Sequence, residues 1–421
     1  MSGFRLFLAS LVLLGACAFS PAVPLATAET QTPAQARDSE ISKVNVKTFD
    51  EAWETVRDNF YDPAFKGLDW NLVGRRYRIL AAEPRADIAD IVNRMLAELR
   101  SSHTGYYTPD EIAYYDLADI FSNGLQRDLM ERFPKGEVAY DGIGMATRVI
   151  DGRHFVSGVF DGFPAAAAGL VVGDEIISAE GSAFAPVRSF KGKAGKKVRL
   201  TVRREAQSEP VTVEVTPRSL HPDDTFLAAM KNGARIIEKD GRKLGYVRVW
   251  SYAGREYQRL LEELVAGKFK DADGLIWDLR DGWGGGQPYY LDIFNRRGVS
   301  MTLTERSGEY TVAARWRKPV VLLINGGSRS AKEVLAYGFK KYGYGEVVGT
   351  KSTGAVLAGR AFMQSNGDLL LVAVADVMVD NQRLEGVGVT PDHEVPFDIR
   401  YANGADPQLA AAIDILARGL D

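Results

Sequence analysis

Cysteine and histidine are scarce in this chain. Its 421 residues include one cysteine, Cys17, and four histidines. One cysteine excludes an internal disulfide framework, and its position near the N-terminus leaves no thiol nucleophile in the remainder of the chain. The histidines at positions 103, 154, 221 and 393 do not have the spacing of zinc ligands in structural sites or zincins. We therefore expect no metal site and no thiol chemistry.

The chain also lacks an excess of charge of one sign and a long apolar run after its first 28 residues. It carries 52 basic and 55 acidic residues, a net charge of −3, which gives no reason to expect nucleic-acid binding. No later stretch is apolar enough to predict a transmembrane helix. The length allows two or three domains, and the hydrophobic content of 46% is typical of globular proteins.

The N-terminus has the pattern of a targeting segment. Arg5 precedes an apolar stretch at 6–19 that is too short to span a bilayer, and small residues up to Ala28 offer a cleavage site. This predicts a signal peptide over 1–28. Residues 14–17 also fit a bacterial lipobox, with a signal ending at residue 16 and Cys17 lipidated. Both interpretations predict export to the periplasm of a Gram-negative bacterium or, as a lipoprotein, to its outer membrane.

Four segments of different composition follow. Residues 29–45 are polar and predict a flexible linker. Apolar residues at three- and four-residue spacing predict a helical region over 46–135. Residues 136–217 hold short strand patterns separated by turns, typical of a β-rich module. From 218 to 421, strands alternate with helices, so we expect a multidomain protein with an α/β core.

Ser330 lies where an apolar strand passes through a Gly-Gly turn into an amphipathic helix. The free N–H groups of a helix N-terminus can stabilise a developing oxyanion, so this serine is a candidate nucleophile. An alternative is that Ser330 and Glu333 form a capping box, in which the hydroxyl only satisfies a helix N–H. The local pattern alone leaves both interpretations open.

Four motifs occur in a particular order along the chain. They are Arg-Ser-Ser-His-Thr-Gly-Tyr at 100–106, Asp-Gly-Ile-Gly-Met at 141–145, Asp-Leu-Arg-Asp-Gly-Trp-Gly-Gly-Gly at 278–286, and Ser-Ala-Lys-Glu at 330–333 followed by Leu-Glu-Gly-Val-Gly-Val-Thr-Pro-Asp at 384–392. Together they resemble the tail-specific, or C-terminal processing, serine peptidases of family S41, which include the tricorn core peptidase. The resemblance covers nearly all of the chain from Phe49 onward.

The resemblance implies a PDZ domain at 136–217, between the helical region and a peptidase core of the crotonase or ClpP-like type at 218–421. A PDZ domain binds a free C-terminal carboxylate with backbone N–H groups and adds the peptide as a strand. The matching carboxylate loop is Gly142, Ile143, Gly144 and Met145, where glycines let the backbone approach a ligand. From these four residues alone, a plain β-turn remains an alternative.

The same resemblance implies that Ser330 is the nucleophile. Its oxyanion hole would use the N–H of Ala331 and of a glycine in the 284–286 turn, for which we expect Gly286 and, next to it, Gly285. A flexible loop is the alternative for this turn. A Walker-type phosphate loop is excluded because no Gly-Lys-Ser/Thr follows at the required spacing.

The expected base departs from the commonest family pattern. Many members activate the serine with a lysine about 25 residues downstream, but Ala355 occupies that position here. Lys351 could replace it only in a rebuilt loop.

The tricorn-like branch instead uses a Ser-His-Ser-Glu tetrad, and this chain has a match for each member. The matches are Ser102, His103, Ser330 and Glu385. By this resemblance His103 takes the proton of Ser330 and passes it to the leaving amine, while Ser102 orients the imidazole. Glu385 would act through a hydroxyl or position the substrate.

The sequence thus predicts an exported serine endopeptidase that works without a cofactor. It would cleave proteins or peptides recognised through their free C-termini, by way of an acyl-enzyme. A catalytically inactive PDZ-containing adaptor on the same fold is the alternative, because the usual lysine is missing. Hydrolysis or binding of a small apolar ligand is a third possibility, for which the sequence offers no cofactor signature.

Overall fold

The computed structural model describes residues 33–312 and 314–420. The proposed signal peptide and the lipobox at Cys17 lie outside these residues. Among the helices within them, none combines the length and the apolar character that crossing a membrane requires.

The first part of the described chain is mainly helical, which confirms the expected helical region. Its elements are α1 (Pro33–Asn59), α2 (Trp70–Ala81), α3 (Ile88–Ala97), β1 (Gly105–Tyr107), α4 (Ile112–Ile120) and α5 (Ser122–Arg132). Side chains of α1 such as Phe49 and Val56 are buried together with Val92 and Met95 of α3. Asp69 caps α2 by accepting a hydrogen bond from Leu72 N, which explains where that helix begins.

The prediction of a linker over 29–45 is wrong for its described part, because α1 already begins at Pro33. Proline is favoured in the first turn of a helix, and no glycine or further proline interrupts residues 34–59. Alanine, arginine, glutamate and lysine in this stretch are good helix formers. The helix therefore continues from its buried part around Phe49 and Val56 toward the N-terminus as a polar stretch.

A β-rich module follows, as expected. Its elements are β2 (Tyr140–Gly142), β3 (Met145–Ile150), β4 (Arg153–Val159), α6 (Pro164–Ala167), β5 (Glu175–Ala179), β6 (Ser182–Ala183), β7 (Val198–Arg203), β8 (Val211–Val215) and β9 (Arg218–Leu220). Strands β3-β4-β5-β7-β8 form an antiparallel sheet, with β6 on β5, around a core of its own. Strand β2 pairs with β9, so the two ends of the module meet and the module extends to Leu220.

The last part of the chain is the expected α/β core. Its elements are α7 (Pro222–Gly233), β10 (Arg235–Lys239), β11 (Arg242–Arg248), α8 (Arg255–Ala266), β12 (Gly274–Asp278), β13 (Met301–Glu305), β14 (Gly308–Val312), β15 (Val320–Ile324), α9 (Ala331–Lys341), β16 (Glu346–Gly349), β17 (Ala358–Met363), β18 (Leu369–Ala375), β19 (His393–Glu394) and α10 (Pro407–Arg418). Short 3₁₀ turns lie at 65–67, 134–136 and 288–294.

The central sheet of this core has the order β10-β11-β12-β15-β16-β19, and all its neighbouring pairs except β10–β11 are parallel. Alternate residues of each strand face opposite layers. Trp277 and Leu322 are buried with α8 and α9, whereas Ile276 and Leu323 are buried with α10. Because β12 and β15 are adjacent and parallel, the glycine-rich turn after β12 and the Ser330 turn after β15 lie at the same sheet edge.

A small second sheet connects the helical region to the core. Strand β1 pairs antiparallel with β18, aligning Gly105 with Leu371, and β18 pairs with β17. Ser102 and His103 directly precede β1 and are therefore held beside the core loops that lead into β17. Residues more than 200 positions apart in sequence meet here.

Candidate active site

Ser330 occupies the turn between β15 and α9 in a strained backbone conformation. Its φ is 57° and its ψ −133°, a region that non-glycine residues rarely adopt. Its side chain makes no capping hydrogen bond with the helix, and its N–H donates to Ala355 O at 2.7 Å. The Glu333 carboxylate accepts hydrogen bonds from Ser352 Oγ and from Gly354 N, both at 2.6 Å. The capping-box alternative is therefore not realised, and the Ser330 hydroxyl is not used as a cap.

A hydrogen-bonded chain leads from a carboxylate to an imidazole. Ser102 Oγ donates to Glu385 Oε2 at 2.8 Å and lies 3.0 Å from His103 Nδ1. Glu385 also accepts from Ser102 N at 3.0 Å, Val356 N at 2.8 Å and Leu357 N at 3.3 Å. The structure thus brings together three residues that the sequence singled out, and fixes their carboxylate with four donated hydrogen bonds.

The chain of bonds also determines which nitrogen of His103 carries the proton. The single hydroxyl hydrogen of Ser102 is donated to Glu385, whose ionised carboxylate can only accept. Ser102 Oγ must then accept from His103, so Nδ1 is protonated. Nε2 therefore keeps the lone pair that a general base requires.

Electrostatics favour the neutral imidazole. Burial lowers the pKa of His103 from its ordinary value to about 4, with Glu385 opposing the shift and Arg329 adding to it. Burial alone would raise the pKa of Glu385, but the hydrogen bonds from Ser102, Val356 and Leu357 outweigh it and lower the pKa below its ordinary value. At neutral pH, His103 is therefore a free base and Glu385 an anion.

Ser330 and His103 line one cavity of about 420 Å³, which we call the Ser330 cavity. Among the described residues, no hydrogen bond joins the two side chains. Catalytic hydrogen bonds are often long or poorly aligned without substrate and tighten in the reacting complex. Most of the remaining wall is apolar and comprises Tyr107, Leu117, Ile120, Phe121, Leu357 and Leu371.

The glycine beside the serine is Gly284. A Cβ added there would lie 2.5 Å from Ser330 Cβ and 2.9 Å from Ala331 N. This differs from the expectation for Gly286, where a Cβ would meet Leu335 and Tyr252 at 3.3 Å. Among the described residues, the N–H groups of Gly284 and Ala331 have no protein acceptor. The N–H groups of Gly285 and Gly286 have no such acceptor either, but only Gly284 and Gly285 line the Ser330 cavity. Because a Cβ on Gly284 would meet Ser330 and Ala331, Gly284 and Ala331 are the candidate pair of oxyanion donors, which three consecutive glycines in the sequence could not reveal.

The lysine that the family pattern led us to consider does not reach this site. Lys351 is exposed and is not among the residues that line the Ser330 cavity. Ala355 does line the cavity. The position of the usual lysine therefore lies in the same cavity as Ser330, but carries only a methyl group.

Sequence reasoning missed Lys332, which stabilises the loops around the site. It is fully buried, and its Nζ donates to Val249 O at 2.7 Å and to Asp281 O at 2.6 Å. Burial lowers the pKa of Lys332 to about 7, and the charge of Arg248 adds to the shift. In the sequence, Lys332 is only one charged residue in an amphipathic helix, and no pattern there indicated that it would be buried.

Trp283 and Arg329 were also missed, and they form a stacked pair beside Ser330. The Arg329 guanidinium lies 5.0 Å from the centre of the Trp283 ring. The indole Nε1 donates to Asp116 Oδ2 at 2.9 Å, which fixes the plane of the ring. The only sequence signal was a lone cation directly before Ser330.

The residues expected to bind a peptide carboxylate run from the end of β2 to the first residue of β3. Gly144 has a φ of 74°, and a Cβ there would come within 2.3 Å of Phe163, so only glycine fits. Met145 lines a second cavity of about 470 Å³, the Met145 cavity, together with the next residues of β3. Gly142 ends β2 and Ile143 follows it, and neither residue lines this cavity.

Comparison with known proteins gives two family matches. Residues 243–395 match the model of peptidase family S41, and residues 47–97 match the tricorn protease C1 domain. A carboxyl-terminal-processing protease of Picosynechococcus is 24% identical over 394 residues, which cover 87% of this chain and 88% of that protein.

Tricorn relatives are similar in sequence and in fold. Tricorn protease homolog 1 of Streptomyces coelicolor is 28% identical over 389 residues, which cover 89% of this chain but 35% of that protein. Among solved structures, the tricorn protease aligns with a TM-score of 0.50 at 19% identity, over 90% of this chain and 37% of the other.

Proposed function

Because the chain belongs to peptidase family S41 and is a serine-type peptidase, we propose that it is an exported endopeptidase that cleaves proteins or peptides recognised through their C-termini. The observation that carries the proposal is the hydrogen-bonded series Glu385, Ser102 and His103, which leaves His103 Nε2 unprotonated in the cavity of Ser330.

The reaction would begin with attack of Ser330 Oγ on the scissile carbonyl carbon. His103 Nε2 accepts the hydroxyl proton, and the N–H groups of Gly284 and Ala331 stabilise the negative carbonyl oxygen. Collapse of this intermediate breaks the peptide bond, and the protonated imidazole gives its proton to the leaving amine. Water then attacks the acyl-enzyme by the same route, with His103 again as base.

Ser102 and Glu385 would act through His103. The Ser102 hydroxyl holds Nδ1–H so that Nε2 faces the cavity, and the Glu385 anion stabilises the imidazolium that forms during the reaction. The strain at Ser330 supports its assignment as nucleophile, since unfavourable backbone conformations concentrate at functional sites.

We further propose that residues 136–217 act as a PDZ domain that recognises the substrate C-terminus, with the carboxylate near Gly142, Ile143, Gly144 and Met145. The separate hydrophobic core of the module supports this. So does the Met145 cavity, because Trp283 and Arg329 line both it and the Ser330 cavity. The relative from Picosynechococcus is a carboxyl-terminal-processing protease, which is in keeping with such a substrate. The export proposal depends on the sequence of residues 1–28.

Labelling with a fluorophosphonate probe tests the nucleophile and the base together. We expect an adduct on Ser330 that is absent in Ser330→Ala, strongly slowed in His103→Ala, and unchanged in Lys351→Ala. If a control serine hydrolase is labelled and this protein is not, with or without added C-terminal peptides, the enzymatic proposal fails. Binding of those peptides without labelling would then favour the adaptor.

A further inference from the structure

Arg329 lies at the boundary between the Ser330 cavity and the Met145 cavity. It directly precedes the nucleophile in sequence, and its side chain lines both cavities, as does that of Trp283. A peptide that reaches from the β module to Ser330 would pass this pair of side chains. The boundary is therefore a place where the enzyme can discriminate between substrates.

Arg329 stacks on Trp283, but no carboxylate pairs with its guanidinium in the part of the chain that the structure describes. Its buried Nε has no hydrogen-bond partner among the described residues. Two neighbouring arginines do form ion pairs, since Arg148 and Arg248 contact Asp281 at 3.1 and 2.9 Å, although the Nε of Arg248 also has no hydrogen-bond partner. A buried donor without a partner carries an unpaid desolvation cost that a bound acceptor would remove.

The orientation of Arg329 suits a planar anion. Stacking on Trp283 occupies a face of the guanidinium and leaves its edge, where the N–H groups point, available to a ligand. Asp116, which accepts the Trp283 N–H, forms no ion pair with Arg329. Its Oδ2 is occupied by the indole N–H, and burial raises the pKa of Asp116 to about 7.

We infer that Arg329 is a specificity-determining residue that binds a carboxylate of the substrate beside the scissile bond. This rests on the proposed function of Ser330. The apolar wall of the Ser330 cavity would take a neighbouring apolar side chain, so the favoured substrate pairs an apolar residue with an acidic group. The carboxylate has two possible sources, an aspartate or glutamate side chain and the free C-terminus of a short tail.

The test uses fluorogenic peptides that contain one apolar residue and differ at the positions next to it. One series carries Glu, Gln or Lys with an amidated C-terminus, and a second carries Gln with a free or amidated terminus. For the wild type we expect kcat/KM to be about 10- to 100-fold higher for a carboxylate-bearing peptide than for its neutral match. The first series reports a side-chain source, and the second a terminal one.

Arg329→Gln should abolish this preference, so that within this variant the carboxylate-bearing peptide and its neutral match have the same kcat/KM. Arg57→Gln is the matched control, because Arg57 stacks on Trp53 at 5.1 Å in the N-terminal helical region, away from both cavities. That control should keep the full preference. Arg329→Glu should reverse it in favour of the Lys peptide.

Binding separates this inference from the peptidase proposal. Fluorescence anisotropy with Ser330→Ala measures affinity without cleavage, and adding Arg329→Gln to that variant should weaken only the carboxylate-bearing peptides. If Ser330 is labelled by the probe but neither rates nor affinities depend on the carboxylate, the role of Arg329 is refuted. If Ser330 is not labelled and the binding preference for the carboxylate still depends on Arg329, the peptidase proposal fails and the anion site stands.

Discussion

Glu385→Gln tests whether the carboxylate acts on the chemistry or only on the shape of the site. The change keeps the size of the side chain but removes its charge and half of its acceptor capacity. Glu385 accepts hydrogen bonds at both oxygens, from Ser102 N at one and from Ser102 Oγ and two further N–H groups at the other. Wherever the new amide NH₂ points, it faces a donor.

The expected loss of rate follows from the geometry. Hydrogen bonds of 3.0 and 2.8 Å through Ser102 Oγ place His103 Nδ1 within about 6 Å of Glu385 Oε2. Unit charges about 6 Å apart interact by about 2.8 kcal/mol at an effective dielectric of about 20. Glu385 stabilises the imidazolium by this amount, so its neutralisation should slow acylation by about 100-fold.

The pH profile gives the second readout. His103 must be neutral to act as a base, and its pKa is lowered to about 4, so wild-type activity should persist at pH 5 and fall as the pH drops through about 4. Glu385 raises that pKa, so in Glu385→Gln the fall should move to lower pH while the plateau is lower. The assay is the second-order rate of fluorophosphonate labelling from pH 8 to 3.5, with folding followed by circular dichroism.

Glu333→Gln is the matched control. Its carboxylate is also buried and also holds the loop before β17, through Ser352, Gly354 and Ala355. If the effect is purely structural, both variants should have a lower labelling rate on the plateau of the pH profile, and in both the rate should still fall near pH 4. If Glu385→Gln has the wild-type plateau and the wild-type limb, the electrostatic role of Glu385 is refuted.

Three further predictions concern the surroundings of the serine. Gly284→Ala should lower kcat by about 100- to 1,000-fold because a Cβ would lie 2.5 Å from Ser330 Cβ, and Gly286→Ala should have a much smaller effect in the same peptide assay. Lys332→Met should lower the free energy of unfolding by about 1–3 kcal/mol in urea titrations, because it removes the donor from buried carbonyls. Asp116→Asn should raise the free energy of unfolding at pH 8 by on the order of 4 kcal/mol relative to the wild type, and by less at pH 5. The reason is that the raised pKa of Asp116 favours the folded protein fully below about pH 4, and this contribution is lost as the pH rises through about 7.

Residue patterns predicted the architecture well where the signal was local. Alternation of strands and helices gave the α/β core, and regular short strands gave the β module. The prediction of a linker over 29–45 failed because helix formation in α1 depends on its buried second half, which lies further along the chain. The capping box failed for a similar reason: Glu333 has the spacing of a cap, but the loop at 352–355 supplies donors that lie about twenty residues away in sequence.

The site residues divide in the same way. Ser102, His103 and Glu385 could be named because short motifs surround them, whereas their meeting depends on the β1–β18 pairing. The register of β12 against β15 decides which glycine faces the serine, and no sequence pattern reports that register. Arg329 had no motif at all. Its significance comes from the absence of a partner among the described residues, which is a property of the surroundings and not of the residue.

The missing lysine does not by itself argue for an inactive protein. Ala355 still fulfils a backbone role, since its carbonyl accepts the Ser330 N–H at 2.7 Å. A second lysine, Lys332, has a lowered pKa suited to a base, but its Nζ is directed at Val249 O and Asp281 O and it does not line the Ser330 cavity. Neither Lys332 nor the exposed Lys351 lines the cavity, so neither can take the proton of Ser330 from where it lies. This leaves the imidazole of His103, whose proton is held on Nδ1 by Ser102, as the base that we propose.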